Sequence, residues 1–193
     1  MPQDPHHAMW KDKSEAPSGS RIQVCALLDN IRSAQNVGDI FRSADALFLE
    51  QLYLVGITAF PPNSKLEKTA LGSSSTVPWS HHLRLFDAVE EIRAAGMPLI
   101  AVEMTPSSES LFEWDGPERA CFVFGHEVMG VDRELIRQAD AVVHIPMSGL
   151  KNSLNVSSSF AITLYQHLSR HGLLASGPPQ LNDSYLPDKR QGK

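Results

Sequence analysis

Apolar and polar positions in this chain follow two rhythms. Ile22–Leu28, Leu52–Ile57, Leu99–Met104, Cys121–Phe124 and Ala141–Ile145 are largely continuous apolar runs. Runs of this length with little period-two alternation predict strands of a parallel sheet, buried on both faces. Between them the spacing turns helical. Near Val37–Phe48, with Asn36-Val37-Gly38 read as the turn before the helix, the apolar positions Val37, Ile40, Phe41, Ala44 and Phe48 share one side. Near Leu83–Ala95 the same holds for Leu85, Phe86, Val89 and Ile92, with Gly96 as the stop before Pro98. Asp132 reads as the N-cap of another helix, and Val156, Phe160, Leu164 and Leu168 recur at helical spacing until His171-Gly172. The alternation predicts an α/β domain, a mostly parallel sheet covered by helices on both faces.

Composition narrows this picture. With 193 residues, 42% hydrophobic and 20% charged, the chain reads as one globular domain over residues 21–173. Residues 1–20 and 174–193, rich in Pro, Ser and charge, read as mobile tails. No apolar stretch is long enough to span a bilayer and the polar N-terminus has no secretion-signal core, so the expected location is cytoplasmic, without a membrane partner. Cys25 and Cys121 lie in apolar runs and read as buried thiols. A net charge of −5 argues against broad, nonspecific nucleic-acid binding, so any RNA site must be local.

Parallel α/β sheets bind ligands beyond the carboxyl ends of their strands. Gly125, Gly130, Pro146, Gly149 and Ser153 all fall at such ends, and their joint placement predicts a small-molecule cradle built largely from main chain. Familiar alternatives fail. His126-Glu127 opens like a zinc helix, but Gly130 stands where the second imidazole belongs, so no metal is expected. There is no Gly-x-Gly-x-x-Gly and no phosphate-loop lysine, and the His6-His7 and His81-His82 pairs are expected on the surface. Arg42, flanked by Asp39 and Asp45 three residues to either side, has an ordinary reading as a solvated helical ion pair.

Four segments together change that reading. Asn36-Val37-Gly38-Asp39-Ile40-Phe41-Arg42-Ser43-Ala44, Phe124-Gly125-His126-Glu127-Val128-Met129-Gly130, Ile145-Pro146-Met147 and Ser153-Leu154-Asn155-Val156 resemble, in order and spacing, the three motifs of the SpoU (TrmH-like) branch of the SPOUT RNA methyltransferases. The resemblance covers about residues 22–171 and includes Lys68-Thr69-Ala70-Leu71-Gly72 and Val77-Pro78-Trp79 in the loop Lys65–Trp79. It implies a SPOUT fold with a C-terminal trefoil knot, a homodimer, S-adenosylmethionine as cofactor and a ribose 2′-hydroxyl of structured RNA as acceptor, tRNA before rRNA.

By the same resemblance, Val102, Glu103, Gly125, Gly130, Ile145, Met147, Ser153 and Leu154 are the cofactor-binding positions. Arg42, Asn36, Glu127, Ser153 and Asn155 are the catalytic set, with Arg42 activating or stabilising the attacking hydroxyl. Phe48 departs from the family, which commonly has Gly after the first helix, and puts the local turn in question. Lys11, Lys13, Lys65, Lys68, Arg84 and Lys151 are candidate phosphate contacts. The alternatives are an rRNA 2′-O-methyltransferase, a non-catalytic RNA-binding or assembly factor retaining the fold, and a generic nucleotide-binding domain.

Overall fold

A computed structural model describes residues 20–174. The expected tails, with Lys11, Lys13 and the His6-His7 pair, lie outside the described residues, apart from Ser20 and Leu174 at their edges.

The strands are β1 (Ile22–Asp29), β2 (Leu49–Val55), β3 (Trp79–His82), β4 (Leu99–Val102), β5 (Glu109–Ser110), β6 (Ala120–Phe124) and β7 (Ala141–His144). They form one seven-stranded sheet in the order β3-β2-β1-β6-β4-β7-β5, and every pairing is parallel. The helices are α1 (Ala34–Ala46), α2 (Ser64–Ala70), α3 (Leu85–Ala94), α4 (Arg133–Gln138) and α5 (Val156–Arg170), with a 3-10 turn at Ser73–Ser75.

Strand residues divide between two cores, one on each face. Val24, Ala26 and Leu28 of β1 pack with α1, α2 and α5, whereas Cys25 and Leu27 pack with α3 and α4. Because both faces are covered, the inner strands are apolar at nearly every position, which is why they read as continuous runs. Cys25 and Cys121 face each other across the β1–β6 pair as buried free thiols, and burial pushes the Cys25 thiol up to about 12.

Several local expectations need correction. The first helix starts at Ala34, capped by the Ser33 hydroxyl, so Asn36-Val37-Gly38 lies within it and forms no turn before it. Gly38 serves a close crossing: a Cβ there would stand 2.1 Å from Thr69 Oγ1 and 2.3 Å from the Leu66 carbonyl oxygen of α2. Gly38→Ala gains about 1 kcal/mol of helix propensity but meets backbone that cannot yield, and overpacking costs about 1–3 kcal/mol or more. The expected net result is a lowered Tm, read by calorimetry, with α2 displaced from α1.

The loop expected over Lys65–Trp79 contains α2, the 3-10 turn and the start of β3. His81-His82 therefore belong to an edge strand and are half-buried: His81 Nε2 lies 3.0 Å from the Gly56 carbonyl oxygen, and His82 Nε2 lies 3.4 Å from Glu91. In α3 the buried residues are Ala88, Val89 and Ile92, and Phe86 turns outward. The fourth strand stops at Val102, two residues before the expected Met104.

Phe48 holds the left-handed conformation, φ 54°, at the turn where the family commonly has Gly. The turn survives the departure. The Arg21 guanidinium lies 4.5 Å from the Phe48 ring centroid and donates to the Leu49 and Thr76 carbonyls. That cation–π contact offsets part of the roughly 1–2 kcal/mol that a left-handed L-residue costs.

Candidate functional site

Beyond the carboxyl ends of β6, β4 and β7 lies a cavity of about 400 Å³, within the usual size range of small-molecule sites. Register brings these ends together, since Ala101 pairs with both Val123 and Val142, and Val102 with Val143. Val102, Glu103, Gly125, Gly130, Ile145, Met147, Ser153 and Leu154 all line the cavity. Glu127 lines it too, whereas Asn36, Arg42 and Asn155 do not.

The 125–130 turn folds back on itself. A Cβ on Gly125 would stand 2.2 Å from both the Gly130 carbonyl carbon and the Val131 nitrogen, so main chain occupies the space of a side chain. Within the turn, His126 Nδ1 accepts from the Val128 and Met129 N–H groups at 3.0 and 3.2 Å, and the Gly130 N–H returns to the His126 carbonyl at 2.8 Å. Gly130 has φ 74° and lies against Glu103, whose Oε2 accepts from the Val131 N–H at 2.9 Å. Glu103 thus braces the turn from the end of β4.

Glu127 ties the turn to the first helix. Its carboxylate accepts from the Arg32 N–H at 2.9 Å, the Ser33 N–H at 3.1 Å and the Asn36 amide at 3.2 Å. The Asn36 side-chain Oδ1 in turn accepts from Asn155 Nδ2 at 3.1 Å, and Asn155 caps α5 by accepting from the Ser157 N–H at 2.8 Å. One polar chain therefore joins the three sequence segments. Burial raises the Glu127 pKa, but its backbone and amide donors outweigh that and hold the carboxyl below the usual glutamate range.

This direction has a consequence for stability against pH. A carboxyl that ionises more readily folded than unfolded stabilises the fold above its unfolded pKa, and loses that contribution as pH falls through the folded value. Melting curves from pH 7 down to 3 are expected to show wild type more stable than Glu127→Gln at neutral pH, with the gap closing on acidification. A gap that stays constant across that range would remove the carboxylate from this role.

Arg42 is exposed on α1 and forms no ion pair with Asp39 or Asp45, so the ordinary helical-pair reading does not hold among the described residues. Of the candidate phosphate contacts, Arg84 is engaged by Asp87 in an ion pair, while Lys65, Lys68 and Lys151 are exposed. Among the described residues no group of three or more His, Cys, Asp or Glu could hold a metal, and no helix is long and apolar enough to cross a membrane.

Sequence reading missed Met104, His144, Asn152 and Ser159 as cavity residues, and it quoted Phe124, His126, Val128 and Val156 within its motifs without assigning them to the site. His144 and Asn152 adjoin recognised segments, which was the available signal. Nothing local marked Met104 or Ser159.

A main-chain cradle at the carboxyl ends of parallel strands, walled by Val102, Ile145 and Leu154, defines the chain as an α/β protein built to hold a small organic ligand. The chain belongs to the SpoU rRNA Methylase family, whose model matches residues 23–165. It is 30% identical over 173 residues to the tRNA (guanosine(18)-2'-O)-methyltransferase of Escherichia coli (strain K12), covering 88% of this chain and 72% of that protein. It is also 30% identical to the 23S rRNA (guanosine-2'-O-)-methyltransferase RlmB of Neisseria meningitidis serogroup B, covering 75% of this chain and 58% of that one. Among solved structures, an AdoMet-bound rRNA methyltransferase from Sinorhizobium meliloti superposes with a TM-score of 0.73 at 29% identity, covering 79% of this chain and 57% of that chain. The last two matches therefore extend well beyond the segment they share with this chain.

Proposed function

We propose that this chain is an S-adenosylmethionine-dependent RNA 2′-O-ribose methyltransferase, with tRNA the favoured substrate. The observation that carries the reading is the cavity itself: recognised turns at three strand ends enclose it, and Glu127, Asn36 and Asn155 lock those turns to two helices. The tRNA preference rests on the Escherichia coli relative, which shares more of its length with this chain than the Neisseria rRNA enzyme does.

The cavity fits the cofactor. Gly125 and Gly130 leave main chain exposed along one wall, and Val102, Ile145, Met147 and Leu154 offer apolar surface for a nucleoside. When bound, S-adenosylmethionine supplies an electrophilic methyl group on a sulfonium. Glu103 braces the cradle, Ser153 offers a hydrogen-bonding hydroxyl in its wall, and Asn155 holds the start of α5 by capping it.

A ribose hydroxyl is a poor nucleophile until its developing negative charge is stabilised. Deprotonating a guanidinium at neutral pH costs on the order of 8 kcal/mol, at 1.36 kcal/mol per pKa unit. Arg42 therefore acts charged, orienting the ribose and stabilising the incipient alkoxide. It lies outside the cavity lining of its own protomer, and a homodimer with the family's knotted C-terminal region would let one subunit complete the site of the other.

Ile162 and Tyr165 leave an apolar surface on the outer side of α5, suited to such a twofold contact. Tyr165→Glu is expected to give a monomer by sedimentation and to abolish methylation. A fully active monomer would remove the shared site.

The decisive assay is transfer of labelled methyl from S-adenosylmethionine to bulk tRNA and to rRNA, followed by mapping of the modified nucleotide. Label in tRNA as a 2′-O-methyl nucleotide is expected. Label confined to rRNA would favour the Neisseria relative's chemistry, and cofactor binding without transfer to either pool would favour a non-catalytic RNA-binding factor.

A further inference from the structure

The carboxyl edge of the sheet carries a second constructed surface, on the β3 side of the cavity. Phe60 is 43% exposed, and its ring centroid lies 4.2 Å from that of His81 and 6.2 Å from that of Trp79, tilted by 34° and 32°. The surface is held from below. Trp79 packs on the α1–α2 core, and His81 is fixed against the Gly56 carbonyl at 3.0 Å. Ile57 adds a side chain that is 66% exposed.

Hydrogen bonds tie the loop that carries Ile57 and Phe60 to the segment after β1. The Ile57 N–H donates to Asn30 Oδ1 at 3.1 Å, and the buried Thr58 hydroxyl accepts from the Ile31 N–H at 2.9 Å while donating to the Leu28 carbonyl at 3.0 Å. Arg32 comes next, and its N–H donates to Glu127 in the cavity wall. The loop after β2 and the turn at the cavity are thus both anchored on the short segment that follows β1, while β2 and β1 lie between β3 and the cavity strands.

Exposed cations lie on the neighbouring segments. Arg32 follows this segment, and Lys65 and Lys68 share the exposed side of α2, which begins just after Phe60. None forms an ion pair among the described residues, in a chain whose net charge is −5. Aromatic faces beside cations suit single-stranded nucleic acid, because any base can stack on a ring while the cations take the flanking phosphates. A protein partner on the β3 edge would not call for these cations.

We propose that Phe60 and Ile57, flanked by Arg32, Lys65 and Lys68, form a platform for an unpaired nucleobase of the RNA whose ribose enters the cavity. This rests on the RNA-methyltransferase reading and adds to it the form of substrate: a looped-out or single-stranded base of the same RNA, held apart from the target nucleotide.

The test uses the full chain in two assays. In methyl transfer to bulk tRNA, Phe60→Ala is expected to raise the RNA KM by roughly 5- to 150-fold, the range that base–aromatic stacking supplies, with kcat and S-adenosylmethionine affinity unchanged. Phe60→Trp should restore the KM, whereas Phe60→Leu, which keeps apolar bulk without a ring, should not. In the second assay a short single-stranded RNA carrying 2-aminopurine should lose fluorescence on binding wild type and keep it with Phe60→Leu.

Equal KM and equal quenching for Phe60→Leu and wild type would overturn the platform. So would a changed sedimentation coefficient that accounts for the whole KM effect, which would assign the surface to contact between copies of the chain. Wild-type protein that binds no S-adenosylmethionine and labels no RNA defeats the function reading instead, and the 2-aminopurine assay still decides the platform on its own.

Discussion

Arg42→Ala is expected to lower kcat for RNA methylation by about 10²- to 10³-fold, the scale seen when a single donor to a developing oxyanion is removed. The affinity for S-adenosylmethionine should stay near wild type, because Arg42 is not part of the cavity lining. Stability should change little as well, since the side chain is exposed and has no ion pair among the described residues. Arg42→Lys separates the two roles open to this residue. If the charge stabilises the alkoxide, lysine recovers part of the rate without adding an ionisation to the pH–rate profile. A new ionisation near the ordinary lysine pKa, with rate restored above it, would make the residue a general base.

Gly125→Ala should be the most damaging change to cofactor binding, with affinity reduced by 100-fold or more on the order of RT ln 100, about 2.7 kcal/mol. Its Cβ would meet the Gly130 carbonyl carbon and the Val131 nitrogen at 2.2 Å, both main-chain atoms on the return arm of the same turn. Neither can move without opening the cradle. Gly130→Ala should cost less, because the atom its Cβ meets is the Glu103 carboxylate, at the end of a flexible side chain, and the remaining penalty is that of φ 74°. Calorimetric titration with S-adenosylmethionine checks the order, and near-wild-type affinity for Gly125→Ala would mean that the turn does not hold the cofactor.

The layered architecture was legible in the chain because burial on both faces writes itself as unbroken apolar runs. β1, β6 and β7 could be located that way almost to the residue. The β2 to α3 region was harder to read. α2 has seven residues and buries only Leu66 and Ala70, too few to establish a period, and β3 is an edge strand of half-buried polar and aromatic residues. Phe86 misled because helical spacing places it near the apolar stripe while the sheet below α3 receives only its neighbours.

The site was legible as motif positions but not as a connected network. Gly38 looked like a turn residue, since no local pattern distinguishes a glycine that bends the chain from one that lets two helices touch. Glu127 meets groups 91 to 95 residues away, and Asn155 meets Asn36 across 119, pairings that depend on strand order. Arg42 shows the opposite case, in which local spacing predicted ion pairs and the fold leaves the guanidinium available.

The bond from Asn155 to Asn36 also bears on biosynthesis. An emerging polypeptide can lay down β1 and α1 early, but Asn36 acquires this neighbour only after the segment leading into α5 has left the ribosome. Methylation competence is therefore acquired only after the chain has been made through the start of α5, and fragments truncated before α5 lack the last clasp of the site.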